Sequence, residues 1–170
     1  MNRVGILTVS DKGSRGERVD TSGDVIRKIC MDAKFTVAAY CIVPDEMEQI
    51  SRMLVEWSDG GEVDLILTTG GTGLSPRDVT PEATLAVIDK AVPGISEAMR
   101  AVSLNKTAHA MLTRSIAGIR RKSLIVNLPG SPKAVKECLE VILPALPHAI
   151  DTIRGQVSEC ATINDKSTTD

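Results

Sequence analysis

Four loops in this sequence carry the residue types that bind phosphate. Each loop directly follows a run of apolar residues, and together the loops contain glycine, serine, threonine and aspartate. They comprise residues 10–23, 44–45, 70–78 and 129–132. Glycines let backbone N–H groups approach an anion closely, and hydroxyl groups add further donors. The composition of these loops therefore predicts a site for phosphate groups.

Two aspartates, Asp45 and Asp78, lie in the same set of loops. Their negative charges would repel a bare polyphosphate. Proteins usually hold Mg²⁺, however, with one or two carboxylates together with the phosphates of a substrate. The two aspartates therefore predict a Mg²⁺ site between the protein and a phosphorylated ligand.

Asp45 also has a purely structural interpretation. It precedes a predicted helix, and Glu48 follows three positions later, which is the pattern of a helix capping box. On local sequence alone capping is at least as well supported as metal binding, and both roles are compatible with different nucleotide states. Asp78 has a weaker structural alternative, because Thr80 and Pro81 already provide an N-cap and a first helical residue.

The glycine cluster at Gly70, Gly71 and Gly73 could form only a tight turn between a strand and a helix. Threonine and aspartate residues that flank the cluster favour a binding role instead. The sequence contains neither the Gly-Lys-Ser/Thr ending of a Walker P-loop nor a Gly-x-Gly-x-x-Gly motif. A kinase-like P-loop enzyme and a nicotinamide enzyme are therefore disfavoured.

Composition limits the class of protein further. A length of 170 residues with 42% hydrophobic and 25% charged residues is typical of one globular domain. A net charge of −2 and single Phe, Tyr and Trp residues offer neither a basic surface nor stacking platforms for nucleic acid. No apolar run approaches the roughly 18 residues of a membrane span, and no signal peptide is recognisable. We therefore expect a cytoplasmic protein with neither nucleic acid nor membrane as partner.

Other potentially reactive side chains have structural interpretations. The cysteines form no Cys-x-x-Cys pair and are expected to be buried thiols, and two histidines are too few for a histidine-rich metal site. Isolated arginines are expected to be solvated surface charges. These residues are Cys30, Cys41, Cys138, Cys160, His109, His148, Arg77, Arg114, Arg120 and Arg121.

Four apolar runs predict the strands that position the loops. They extend from Val4 to Val9, Thr36 to Val43, Asp64 to Thr68 and Ser123 to Leu128. Near-continuous Ile, Leu and Val content is typical of strands that are buried on both faces of a parallel sheet. Ligands bind such a sheet outside the carboxyl ends of its strands, which is where the four loops would converge.

Helical patterns separate the predicted strands. Apolar stripes predict helices from Gly23 to Ala33 and from Glu46 to Trp57. A capping residue followed by proline predicts two more helix starts, at Thr80 and at Ser131. The alternation of strands and helices predicts a three-layer α/β fold, with a mainly parallel sheet and helices on both faces.

The predicted domain spans residues 1–154. Near its end, Pro144 and Pro147 are expected to divide the helical region into two short pieces, because proline lacks a backbone donor and clashes with the preceding turn. From Gly155 to Asp170 the sequence is polar and has no apolar periodicity. This segment is expected to be a flexible tail.

Three ordered motifs resemble those of the MogA/MoaB family, the molybdopterin adenylyltransferases. They are Thr-Gly-Gly-Thr-Gly at 69–73, Arg-Asp-Val-Thr-Pro-Glu-Ala-Thr at 77–84 and Asn-Leu-Pro-Gly-Ser-Pro at 127–132. The resemblance extends from Met1 to about Arg154. It implies an enzyme that transfers AMP from Mg-ATP to the terminal phosphate of molybdopterin and releases pyrophosphate.

The resemblance also implies roles for individual residues. By motif position, Asp45 and Asp78 correspond to the family's catalytic aspartates and to its Mg²⁺ ligands. The nucleotide-binding positions are Gly70, Gly71, Thr72, Gly73, Pro129, Gly130 and Ser131. The molybdopterin-binding positions are Asp11, Ser14, Gly16, Asp20, Ser22 and Ser115.

The same resemblance implies a homotrimer, and a separate protein for molybdate insertion because no second catalytic domain is fused to this one. Two alternatives stay open: a paralogue that binds the pterin without adenylating it, and a trimeric scaffold. The presence of both Asp45 and Asp78 favours the enzyme over the first alternative. The absence of an appended interaction segment beyond a short polar tail disfavours the second.

Overall fold

Six strands form one sheet at the centre of the computed structural model, which describes residues 2–156. The strands are β1 (Arg3–Val9), β2 (Thr36–Val43), β3 (Leu65–Thr69), β4 (Lys90–Ala91), β5 (Ala117–Arg120) and β6 (Ser123–Leu128). Their order across the sheet is β2-β1-β3-β6-β5-β4. The strands β2, β1, β3 and β6 are parallel, whereas β5 pairs antiparallel with both β6 and β4. The prediction of a mainly parallel sheet is confirmed.

Helices cover both faces of this sheet. They are α1 (Asp11–Ser14), α2 (Thr21–Asp32), α3 (Met47–Asp59), α4 (Thr80–Leu85), α5 (Pro93–Leu104), α6 (Pro132–Ile142) and α7 (Leu146–Ile153), with 3-10 helices at Ala108–Leu112 and Leu143–Ala145. Apolar side chains of α2, α5, α6 and α7 form one core, and those of α3 and α4 form a second. Alternate residues of β3 divide between the cores, with Leu65 and Leu67 in the first and Ile66 in the second. The three-layer fold is therefore confirmed.

The predicted strands agree with the observed bounds to within one residue, but β2 differs in burial. It lies at the edge of the sheet, and Thr36, Ala38 and Tyr40 are exposed, so the prediction that this strand is buried on both faces is wrong. The strands β4 and β5 were not predicted. Their two and four residues are too short for a recognisable pattern.

Both helix starts predicted from a capping residue and proline are confirmed, since α4 begins at Thr80 and α6 begins at Pro132. Ser131 caps α6, since its hydroxyl accepts from the backbone N–H of Ala134, and proline is the first helical residue. The capping role predicted for Thr80 is wrong, because Val79 is the N-cap of α4. The hydroxyl of Thr80 donates instead to the carbonyl of Gly70 at 2.9 Å, which ties the helix to the glycine loop.

The end of the described chain follows the proline pattern. A 3-10 turn contains Pro144, and α7 begins at Leu146, so the two short helical pieces are confirmed. Gly155 and Gln156 close α7 with backbone hydrogen bonds, and the rest of the predicted tail, 157–170, lies outside the described residues. Between residues 2 and 156, no helix has the length and apolar content needed to cross a membrane.

Three of the cysteines are free thiols, and Cys160 lies outside the described residues. Cys30 and Cys138 are buried, as expected, whereas Cys41 is half-buried. Burial raises the pKa of the Cys30 thiol to about 12. This thiol therefore stays protonated and packs as an apolar group.

A buried carboxylate links the first strand to the last helix. Asp64 accepts hydrogen bonds from the backbone and guanidinium of Arg3, and Arg154 approaches it to 2.6 Å. Burial alone would raise the pKa of Asp64, but the hydrogen bonds from the two arginines outweigh burial and hold the pKa well below its usual range. Arg154 also donates to the side chain of Asn2 at 3.1 Å, so a single guanidinium bridges both ends of the domain.

Candidate functional site

A cavity of about 770 Å³ lies at the carboxyl edge of the central strands. From β1 the chain continues to β2 on one side of β1, and from β2 it crosses to β3 on the other side. The strand order therefore reverses at β1, as it does at ligand sites of open α/β sheets. All four predicted loops line it, through Ser10, Gly13, Arg18, Asp20, Ser22, Asp45, Gly70, Gly71, Gly130 and Ser131. The volume lies within the range of small-molecule sites.

Several predicted site residues lie outside this lining. They are Asp11, Ser14, Gly16, Thr72, Gly73, Asp78, Ser115 and Pro129. Of these, Ser115 and Pro129 line a second cavity of about 210 Å³ beside α5 and α6, together with His109 and Thr113. Ser115, which was predicted to bind molybdopterin, is thus separated from the main cavity. Thr69, which lines the main cavity, connects the two regions by donating a hydrogen bond to the carbonyl of Pro129 at 2.6 Å.

Glycine is required at two positions of the loop after β3. Gly70 and Gly71 have φ angles of 97° and 64°, which disfavour residues with a side chain. A Cβ atom at Gly70 would lie 2.2 Å from the carbonyl oxygen of Val9, and one at Gly71 would lie 2.3 Å from the hydroxyl of Thr80. The loop therefore packs directly against β1 and α4, and its backbone forms the wall of the cavity.

Asp45 and Asp11 hold each other in place. The carboxylate of Asp45 accepts from the backbone N–H of Asp11 at 2.8 Å, and the carboxylate of Asp11 accepts from the backbone N–H of Asp45 at 3.1 Å. The N-cap of α3 is Glu46, which makes no side-chain capping bond. The capping interpretation of Asp45 is therefore wrong, because its carboxylate bonds across to the neighbouring loop.

The electrostatic environment of Asp45 disfavours its charge. Burial raises the pKa of its carboxyl group, and the charges of Asp11 and Asp78 act in the same direction. The second carboxylate oxygen faces the glycine loop, since a Cβ atom at Gly71 would lie 3.3 Å from it. A cation beside this oxygen would favour the ionised form, so the donor set suits a divalent ion.

Asp78 lies over the other end of the glycine loop. Its carboxylate accepts from the backbone N–H of Ser75 at 2.9 Å, and a Cβ atom at Gly73 would lie 2.9 Å from the same oxygen. Among residues 2–156 no group of three or more His, Cys, Asp or Glu side chains could hold a metal ion. Since Asp45 and Asp78 are only two carboxylates, a metal ion here would take its other ligands from water and from substrate phosphates.

Arg77 connects three of the loops. Its guanidinium donates two hydrogen bonds to Asp11, at 2.8 and 3.1 Å, and one to Glu46 at 3.0 Å. The hydrogen bond from Arg77 lowers the pKa of the Asp11 carboxyl. Arg77 was expected to be a solvated surface charge; half of its side chain is exposed, but its guanidinium is paired with Asp11 and Glu46.

Two polar residues of the cavity wall also support the fold. Asp20 caps α2 by accepting from Gly23 at 2.9 Å, and its other oxygen accepts from the hydroxyls of Thr8 and Tyr40 at 2.6 and 2.7 Å. Burial and the Asp20 carboxylate raise the pKa of Tyr40. Ser22 donates to the carbonyl of Gly130 at 2.8 Å. These bonds join the start of α2 to β1, β2 and the loop after β6.

Arg18 and Arg114 were not among the site residues predicted from the sequence. Arg18 lines the main cavity. Arg114 donates to the carbonyls of Gly73 and Asp78 at 2.7 and 2.6 Å and also pairs with Glu82, so its interpretation as a solvated surface charge is wrong. No local pattern could reveal the bonds of Arg114, because its partners are at least 32 positions away in the sequence.

Comparisons with known proteins give one consistent result. Residues 5–148 match the model of the family described as "Probable molybdopterin binding domain". The molybdopterin adenylyltransferase of Helicobacter pylori strain J99 is 43% identical over 166 residues, which cover 96% of this chain and 93% of that protein. Gephyrin of Dictyostelium discoideum is 46% identical over 90% of this chain but only 23% of its own length. The crystal structure of the molybdopterin biosynthesis enzyme MoaB from Thermus thermophilus is similar with a TM-score of 0.87, at 55% identity, and covers 94% of this chain and 100% of that one.

Proposed function

This chain belongs to the molybdopterin-binding domain family, and from that membership we propose that it is a molybdopterin adenylyltransferase. The reaction transfers AMP from ATP to the terminal phosphate of molybdopterin and releases pyrophosphate. Similarity to the Helicobacter pylori enzyme over nearly the full length of both proteins supports this activity. The proposed substrates are ATP and molybdopterin.

The observation that carries the proposal is the meeting of four glycine- and hydroxyl-rich loops around one cavity. Gly70 and Gly71 present backbone to this cavity, and Ser131 caps the 11-residue helix α6 at its rim. Backbone N–H groups and the amino terminus of a helix bind phosphate without a large desolvation cost. We assign the nucleotide to the glycine loop and to Gly130 and Ser131.

Molybdopterin is assigned to the part of the cavity formed by the loop between β1 and α2. Asp20 and Ser22 line this part, and their side chains also hold the start of α2. Arg18 lines the same region and can neutralise an anionic group of the substrate. Ser14 and Gly16 lie on the same loop, outside the lining.

The proposed chemistry needs positioning more than acid–base catalysis. A terminal phosphate oxygen of molybdopterin attacks the α-phosphorus of ATP in line, a new P–O bond forms, and the bond to the bridging oxygen of pyrophosphate breaks. The attacking phosphate is already anionic near neutral pH, so no strong base is required. The loops contribute by holding the two phosphates together and by excluding water.

Asp45 and Asp78 are the residues that would hold Mg²⁺. Bound there with the nucleotide, the ion supplies neutralisation of the charge on the phosphate oxygens. The protein holds both carboxylates in advance, Asp45 through the backbone of Asp11 and Asp78 through the backbone of Ser75. Preorganised groups of this kind do not have to rearrange during the reaction.

The proposal extends to a homotrimer in the cytoplasm that passes its product to a separate molybdate-insertion protein. Four apolar side chains on α5 and the following 3-10 helix support self-association, since Val102, Leu104, Met111 and Leu112 are exposed in the single chain. A subunit contact would remove them from water. Light scattering of the purified protein measures the trimer directly.

The decisive experiment is incubation of the protein with molybdopterin, ATP and Mg²⁺. Adenylated molybdopterin and pyrophosphate should appear together in equal amounts, detected by mass spectrometry and a coupled pyrophosphate assay. A parallel reaction without ATP is the control. Binding of molybdopterin without any adenylated product would instead identify a non-catalytic paralogue.

A further inference from the structure

We propose that Arg114 is a positioning residue for adenylyl transfer, because it fixes the loop that carries Asp78. This role presupposes the activity proposed above. Arg114 lies in the segment between the 3-10 helix 108–112 and β5, outside the four loops that the sequence identified. It does not line the main cavity, so it acts on the reaction only through other residues.

The guanidinium of Arg114 spans the loop from Gly73 to Asp78. Its Nε donates to the carbonyl of Gly73 at 2.7 Å, and one terminal nitrogen donates to the carbonyl of Asp78 at 2.6 Å. The backbone N–H of Arg114 also donates to the carbonyl of Thr72 at 2.9 Å. Both ends of the loop are therefore joined to one rigid planar group.

The Asp78 residue is held at two points as a result. Its carbonyl is fixed by Arg114, and its carboxylate accepts from the N–H of Ser75 within the same loop. Without the guanidinium, the backbone of the exposed stretch 74–77 would lose its attachments at Gly73 and Asp78. It would then be held only by the side chain of Arg77, which pairs with Asp11 and Glu46, and by the bonds between Asp78 and Ser75. A carboxylate on such a loop would sample several positions, and small misplacements of a reacting group are costly.

Other charged residues hold Arg114 in this orientation. Glu82, in the first turn of α4, pairs with the remaining terminal nitrogen. Its second carboxylate oxygen is buried and lacks a hydrogen-bond partner among the described residues, so the Glu82 carboxylate serves mainly to hold Arg114. On the other side, Arg100 of α5 donates to the carbonyl of Ser115 at 2.9 Å and fixes the adjacent backbone.

Lysine could not replace Arg114 in this arrangement. Arginine presents several donors in a fixed plane, and that plane reaches two carbonyls and a carboxylate at the same time. A lysine ammonium is a point charge on a flexible stem, so it would satisfy one of these partners and release the others. Arg114→Lys therefore keeps the charge and removes the geometry.

Arg120 provides a matched control. Its guanidinium also donates to a carboxylate, that of Asp59, and to a backbone carbonyl, that of Val87 at 2.9 Å. It lies on β5, near the amino end of the neighbouring strand β6, away from the cavity lining. Arg120→Lys thus loses a similar set of bonds without touching the loop of Asp78.

The test compares the two lysine variants by steady-state kinetics. Arg114→Lys should lower kcat about tenfold or more with little change in KM for ATP, whereas Arg120→Lys should stay within about twofold of the wild type. Adding Arg114→Lys to Asp78→Asn should cause little further loss, because the two changes act on one element. Equal kcat for both lysine variants, or an undiminished effect of Arg114→Lys in the Asp78→Asn background, would overturn the proposal.

Amide hydrogen exchange tests the positioning without turnover. The N–H groups of Ser75 and Asp78, which bond within the loop, should exchange about tenfold faster in Arg114→Lys than in Arg120→Lys. Glu82→Gln should act in the same direction and serves if Arg114→Lys is poorly folded. If the wild type forms no product, the proposed function is wrong. Faster exchange in Arg114→Lys would then still show that Arg114 holds the loop, without a role in adenylyl transfer. Unchanged exchange in both variants overturns that role as well.

Discussion

Asp11 and Asp45 exchange backbone-to-carboxylate hydrogen bonds in both directions across the cavity edge. Each residue therefore fixes the side chain and the backbone of the other. The pair joins the loop after β1 to the loop after β2, and Arg77 closes the arrangement by pairing with Asp11. The carboxylate of Asp45 is consequently oriented by protein groups before any substrate binds.

Asp45→Asn should separate activity from stability. Turnover should fall by roughly 10², the cost of losing one preorganised charge at a reacting centre. The pKa of Asp45 is raised in the folded protein, so ionisation of Asp45 lowers the stability of the fold as pH rises above about 4. Asparagine does not ionise, and the variant should therefore be no less stable than the wild type. Melting temperatures at pH 7 should be equal or higher for Asp45→Asn, and the difference should vanish at acid pH. A large drop at pH 7 would mean that the charge of Asp45 stabilises the fold.

Asp78→Asn should reduce adenylation by roughly 10² or more while molybdopterin still binds. Asparagine keeps the size of the side chain and can still accept from the N–H of Ser75, so the loop should keep its shape. Turnover, molybdopterin binding by calorimetry and melting temperature should be measured on the same preparation. Near-normal turnover, or a loss explained by unfolding, would remove Asp78 from the mechanism.

A metal chelator should abolish turnover and leave the folded protein unchanged. Asp45 and Asp78 provide two carboxylates, and no cluster of three candidate ligands exists within residues 2–156, so the ion would take the rest of its ligands from water and nucleotide phosphates. Excess Mg²⁺ should restore the rate. The circular dichroism spectrum and the melting temperature of the nucleotide-free protein should be the same with and without chelator. Full activity in excess chelator would contradict a metal-assisted reaction.

Gly70→Ala should destabilise the protein by about 2 kcal/mol or more. Its backbone has a φ angle of 97°, and the new methyl group would lie 2.2 Å from the carbonyl of Val9, which cannot move without distorting β1. Gly130→Ala is the control, because its nearest neighbour would be 3.4 Å away, and its cost should stay within about 0.5 kcal/mol. Urea unfolding of both variants measures the difference, and equal costs would contradict the close packing of Gly70.

Asp64→Asn should lower stability by about 3 kcal/mol at neutral pH, because it leaves two arginines facing a neutral buried group. The folded pKa of Asp64 lies below its unfolded value, so its contribution is present above about pH 4 and is lost as pH falls. The gap between wild type and Asp64→Asn should therefore close on acidification. Asp59→Asn, at a more exposed pair with Arg120, should change melting temperature little. A pH-independent gap would mean that packing rather than charge is lost.

The central sheet was predictable because β1, β3 and β6 are near-continuous apolar runs, a pattern that survives without tertiary information. The convergence of the loops followed from parallel strands alone. The short strands β4 and β5 gave no signal, and the edge position of β2 depends on strand order, which local sequence does not encode.

The interactions that orient the site were beyond local reasoning. Asp45 matches a capping box, yet its carboxylate bonds to a residue 34 positions earlier in the chain. Thr80 matches the sequence pattern of an N-cap, yet its hydroxyl donates a hydrogen bond to the carbonyl of Gly70. Arg114 was indistinguishable from a surface charge, because its partners approach only when β5 and α4 have packed. Tertiary bonds thus replaced the local ones at each of these residues.

The bridge between Asn2 and Arg154 brings the entry and exit of the fold to one place. A domain with adjacent ends can be inserted into a longer polypeptide as a single cassette, since neither flank has to cross the sheet. By the same geometry, a short linker could join the two ends and new ends could be opened at the exposed turn of residues 60–61, giving a circular permutant with the cavity intact.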